Sequence, residues 1–170
     1  SSNYLKDPRA NLADRADWVG DPDNPVVCRH LHSVSYNPTE NAFYACCGDI
    51  DRKIQAGYEC HWLRGTYDPG ADAWDWKVIV SSDANSRFKS GGINCVDGKV
   101  YWVADANGPK TEREIYDRGI FRCQPVDIPD KSKHELIYPV KYEMACMTIH
   151  GTTIVAPKYG LRDLSSVCSQ

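Results

Sequence analysis

Polar and apolar positions along this chain fall into short runs, not long stripes. Runs of four to seven residues rich in Val, Ile, Tyr and Trp recur between Gly, Pro, Asn and Asp, the pattern of strands joined by turns. Helical periodicity is scarce. The one stretch long enough to consider, residues 10–18, carries Asp14 and Arg15 amid weak apolar spacing. Residues 32–36 alternate, 37–41 (Asn-Pro-Thr-Glu-Asn) read as a turn, and 42–47 run apolar. Asp97-Gly98 separates apolar runs at 93–96 and 99–104, and His150-Gly151 separates 145–149 from 152–156. Asp-Gly between such runs is the strongest short hairpin signal, and His-Gly is a weaker relative. The chain is predicted to be all-β.

The three hairpins recur at a regular interval. Two further strand candidates lie between successive hairpins, at 61–67 and 74–80 and again at 119–126 and 135–140. Four strands per repeat of roughly 50 residues is the spacing of a propeller blade. The expectation is a partial β-propeller of about three four-stranded antiparallel blades. They divide at about 28–82, 83–140 and an incomplete 141–170, after a polar lead segment or linker at 1–27. A sandwich with coincidental spacing is the alternative. Closed propellers need four blades or more, so the chain reads as part of a larger polypeptide or of an assembly in which other chains or segments complete the ring.

Composition narrows the partners. The 170 residues are 42% hydrophobic and 25% charged, which is globular. A net charge of -3 and a sequence pI near 5.9 argue against nucleic acid. No apolar run reaches the ~20 residues of a membrane span. Eight cysteines, at 28, 46, 47, 60, 95, 123, 146 and 168, leave disulfides and buried thiols both open.

One family likeness enters here. Residues 30–38 (His-Leu-His-Ser-Val-Ser-Tyr-Asn-Pro) with 43–49 ending in Gly48-Asp49 resemble the opening blade of bacterial and phage sialidase-like (Asp-box, or BNR-repeat) propellers. Residues 67–74 resemble a degenerate Asp-box, with Ala73-Trp74 where that motif has Thr-Trp and two residues inserted. Tyr101 to Asp105 followed by 119–122 continues the likeness, which covers about residues 28–157. It implies a propeller fold, a glycan ligand and an extracellular or virion-associated setting. Activity does not follow, because such folds host hydrolases, lyases, lectins and inert parts alike.

In a propeller, residues just before the first strand and just after the second meet around the axis. That would gather Arg29, Asp49, Arg87, Asp105 and Tyr142 to bind an anionic sugar, with arginine on a carboxylate, aromatic faces on the ring and aspartate on hydroxyls. The expected function is a carbohydrate-recognising or structural module. A propeller-type glycan lyase or hydrolase is the alternative, with His30, His32 and Tyr101 as its proton-transfer candidates. Cys28, His30 and His32 alternate and so share a strand face. Thiolate and imidazole suit zinc, with Asp49 as a fourth ligand; calcium is the other metal considered.

Overall fold

The computed structural model describes residues 30–48, 60–82, 86–105, 117–140, 144 and 146–157. Among these, every regular element is a strand except two short 3-10 turns, Pro125–Asp127 and Lys131–Lys133. The first sheet is a four-stranded antiparallel meander of β1 (His30–Asn37), β2 (Ala42–Gly48), β3 (Cys60–Asp68) and β4 (Ala73–Ser82). The second repeats it with β5 (Ser90–Val96), β6 (Lys99–Ala104), β7 (Gly119–Cys123) and β8 (Glu135–Pro139). A hairpin of β9 (Thr148–His150) and β10 (Thr153–Val155) follows. The all-β expectation holds, as does four-strand antiparallel order in two sheets.

Turn chemistry accounts for the hairpins. Asp97 and Gly98 both take positive φ, +49° and +73°, as a two-residue turn between Val96 and Lys99 requires. In the last hairpin Gly151 supplies the positive φ and His150 pairs with Thr153, so Thr152 belongs to the turn and not to the strand. The predicted strand at 119–126 stops at Cys123, because Pro125 opens a 3-10 turn.

The two sheets are copies at the level of register. Between β1 and β2 the ladder slips between Leu31 and Ser33, making His32 the extra residue; between β5 and β6 it slips between Ser90 and Gly92, at Gly91. Between β3 and β4 the slip falls beside Trp62, at Ile79, and between β7 and β8 beside Ile120, at Ile137. These irregularities coincide when Ser33 is laid on Gly92 and Trp62 on Ile120. Bulges re-aim side chains at chosen positions. Four of them at matching places are harder to obtain by coincidence than a shared strand count.

Alternation then decides which face each residue serves. Tyr44, Cys46, Trp62 and Val80 of the first sheet pack against Val100, Trp102, Ala104 and Phe121 of the second. The second sheet's other face, with Val103 and Ile120, packs against Met147, Ile149 and Ile154. The first sheet's remaining face holds Ala45, Cys47 and Leu63 with Trp76, all of its own strands.

First strands approach one another most closely. β1 lies against β5, and β5 against β9. The Ser33 hydroxyl accepts from the Ile93 N–H at 2.9 Å. The Asn94 amide donates to the Met147 carbonyl at 3.1 Å and accepts from the Ile149 N–H at 3.2 Å. Gly92 permits this approach, since a Cβ there would stand 2.4 Å from the Met147 nitrogen. Farther out, larger groups fill the space between the sheets. Trp62 and Trp102 meet edge to face at 5.3 Å. Their indole N–H groups donate to the Phe88 and Arg87 carbonyls at 2.7 and 2.9 Å, so the segment linking the sheets satisfies a buried donor from each.

Candidate functional site

Ladder order fixes one end of the stack as a rim. There β1 and β5 begin, and β2 and β6 end. His30 opens β1 opposite Gly48, and the bulge presents His32 beside it, the rings 6.1 Å apart and edge to face. At the same end of the second sheet, Lys89 precedes β5, Asp105 follows β6 and Arg118 precedes β7. Lys89 and Arg118 are buried. The Lys89 ammonium stands 3.5 Å from the Asp105 carboxylate, and the Asp105 N–H donates to the Lys89 carbonyl at 2.7 Å. Buried cations are rare unless paired. The rim therefore combines two imidazoles with a fixed set of charges.

Arg87 is engaged inside the stack. Its Nε and Nη2 donate to one Asp117 oxygen at 2.9 and 2.7 Å. Its guanidinium lies 4.6 Å over the Phe121 ring. Lys131 reaches the other Asp117 oxygen at 3.2 Å. Burial alone would raise the Asp117 pKa, but the Arg87 hydrogen bonds and the nearby Lys131 hold it below the usual carboxylate value. His134 completes the group, its Nε2 bonded to the Ile128 carbonyl at 2.9 Å and its ring edge-on to Trp102 at 4.8 Å. Burial, with Arg87 and Lys131 close by, lowers its pKa. This cluster joins the linking segment, β7 and the 3-10 turns into one brace.

Tyr101 sits elsewhere again. It faces Asn94 in mid-ladder and packs toward the last hairpin. Its hydroxyl accepts from Arg122 at 3.4 Å, and Arg122 holds Glu135 with two bonds of 2.7 Å. A shallow cleft of about 160 Å³ opens beside that pair, lined also by Lys99 and Lys133.

So the structure brings His30 to His32 and Asp105 to Lys89, and places Arg87 and Tyr101 in two separate polar clusters. Cys28, Arg29, Asp49 and Tyr142 lie outside the described residues. Among the described residues no three His, Cys, Asp or Glu side chains gather as a metal site. The disulfide alternative also gives way there: Cys46, Cys47, Cys60, Cys95, Cys123 and Cys146 carry thiols. The two sulfurs of adjacent Cys46 and Cys47 serve opposite sheet faces, and burial pushes the Cys123 thiol up to about 12.

One feature of the first sheet went unread in the sequence. Residues 36–43 and 67–74 are the same loop written twice, Tyr-(Asn/Asp)-Pro-x-x-(Asn/Asp)-Ala-(Phe/Trp). In each, the second residue's side chain accepts a backbone N–H two residues on, Asn37 from Thr39 at 3.1 Å and Asp68 from Gly70 at 2.8 Å. Asn41 and Asp72 take positive φ and accept the hydroxyls of Tyr36 and Tyr67. The β3–β4 loop thus has a twin in the β1–β2 loop. Together the loops set out a row of aromatic rings in which Tyr36 meets Phe43 at 4.9 Å, Phe43 meets Trp74 at 5.3 Å and Trp74 stacks on Trp76 at 5.5 Å. A search for internal similarity, pairing the two Tyr-Asx-Pro triplets, would have found it.

Comparison with protein families, with curated proteins and with solved structures returns no match for this chain.

Proposed function

We propose that this chain is a segment of a sialidase-like β-propeller that serves as a recognition and structural module, its sheets being blades that neighbouring sheets complete. The observation that carries the reading is the repeat itself. Two sheets share their bulge positions, lie against each other along their first strands, and fill the space beyond with the indoles of Trp62 and Trp102. That is how wedge-shaped blades surround an axis. A third first strand, β9, continues the series.

The ligand class proposed for the rim is an anionic carbohydrate. His30 and His32 supply imidazoles at the end of the stack where the buried Lys89 pairs with Asp105, and hydrogen-bonding rings on a rigid frame suit the carboxylate and hydroxyls of a sugar. Calorimetric titration of the full chain with a sialic acid polymer and a uronate polymer tests this. Binding of at least one, lost on joint His30→Ala and His32→Ala substitution with an unchanged unfolding midpoint, is the expected result. Equal binding by the double variant, or none by the native chain, overturns the ligand assignment.

A further inference from the structure

The register copy has a consequence for the exposed face of the first sheet. Laying Ser33 on Gly92 lays Val34 on Ile93, Phe43 on Val100 and Leu63 on Phe121. In the second sheet these positions form the face that the first sheet covers. In the first sheet they form the face whose cluster draws, among described residues, on its own strands alone. Its centre (Ala45, Cys47, Leu63) is sealed, yet Leu31 is 60% exposed, Val34 49% and Trp74 45%, with Tyr36, Tyr67 and Val78 exposed around them. Exposed apolar side chains gathered on one sheet face are the kind of surface that partners cover.

The far end of the stack offers the matching half. Each first strand tethers the next through a polar side chain, Ser33 to Ile93 and Asn94 to Met147 and Ile149. Continuing the register, with His150 on Val96 and Thr153 on Lys99, puts Thr148 at the Asn94 position and Val155 at the Tyr101 position. Both are exposed. The first sheet therefore keeps a receiving face and the last hairpin a giving face, the two halves of an interface already built twice within the chain.

We infer that a second copy of this chain docks head to tail here, the outer face of its β9–β10 hairpin seated on the first sheet's Leu31, Val34 and Trp74 face. Such contacts are heterologous, so copies close into a ring or run on as a filament. The inference rests on the stacked-sheet reading above and not on the glycan assignment.

Sedimentation of the 170-residue chain over a hundredfold concentration range is the test, with Val34→Glu and Val155→Glu as exposed, fold-neutral variants. The native chain should at least double in mass as concentration rises. Each variant should stay monomeric with an unchanged unfolding midpoint. Mixed together, the two should give a 1:1 dimer and nothing larger, since each keeps one intact face. A native chain monomeric throughout overturns the inference. So does association of Val155→Glu alone, which would mean like faces meeting, and so does a native monomer that associates only after residues 1–27 are removed, which would give that segment the face. A native chain that binds glycan yet stays monomeric at every concentration would remove the docking proposal and leave the rim reading in place.

Discussion

Val34 and Ile93 occupy the same register position in two copies of one sheet, and their surroundings are opposite. Ile93 is 5% exposed and Val34 49%. Alternation, bulges and strand order agree between the copies, so the difference is not written in local pattern. It arises because one face has a neighbouring sheet and the other, among described residues, has none. Aromatic content follows the same division. The covered face relies on Trp102 and Phe121 packed against Trp62, whereas the open face carries its rings in a row at the loop end. Burial in a stacked-sheet protein is thus a property of the sequence of sheets and only secondarily of the strand.

The sharpest way to break the comparison is to empty its covered side. Trp102 is fully buried, meets Trp62 and His134 edge-on and donates to the Arg87 carbonyl. Trp102→Ala should cost about 3–5 kcal/mol, a large share of the roughly 5–15 kcal/mol that holds an ordinary domain folded. Trp74→Ala on the open face should shift the unfolding midpoint of the monomer little. Urea titration of both variants at low protein concentration measures the contrast. Equal losses would show that the two faces are energetically alike and would dissolve the distinction.

The brace around Arg87 should make the covered side sensitive to acid. His134 has a lowered pKa, so the unfolded chain binds its proton first. Stability from the neutral ring is complete above about pH 6.5 and is withdrawn as pH falls toward the folded value. Asp117 is also lowered, and its contribution, present above about pH 4, is withdrawn as pH falls further. Denaturation midpoints should therefore decline in two steps below neutrality. His134→Gln should remove the upper step and Asp117→Asn the lower. Arg87→Ala should destabilise at neutral pH by on the order of 2 kcal/mol, the scale of hydrogen bonds to a charged group. A flat profile between pH 7 and pH 5 in the native chain would remove His134 from the account.

Much of the covered side was legible beforehand, and the reasons are specific. Asp97-Gly98 marked one hairpin because few sequences tolerate two successive positive φ values, and 99–104 was placed to the residue. The bulges were not legible: His32 and Gly91 share no chemistry, and a bulge is a matter of register between strands. Reading Cys28, His30 and His32 as strictly alternating missed the slip at His32. Arg87 is expected at the rim from its place just before a strand, yet it turns inward to Asp117, and Tyr101, a proton-transfer candidate, lies in mid-ladder. Side-chain direction in a linking segment depends on what fills the space beneath it, here Phe121 and His134, which no single run of residues encodes.

The smallest expected effect is the most discriminating for the open side. In dilute solution, where copies are apart, Val34→Ala should change stability by no more than about 0.5 kcal/mol, because half the side chain already meets water. Ile93→Ala, at the same register position, loses buried methyl groups against Trp102 and the first sheet and should cost about 2–5 kcal/mol. Repeating both titrations at high concentration separates the two contributions. If a second copy covers the open face, the penalty for Val34→Ala should grow with concentration while that for Ile93→Ala stays fixed, since association adds stability only to the native state and only through intact contacts. A Val34→Ala penalty as large in dilute solution as that of Ile93→Ala would mean the residue is already covered within the single chain, and the two copies of the sheet would then be equivalent in surroundings as well as in register.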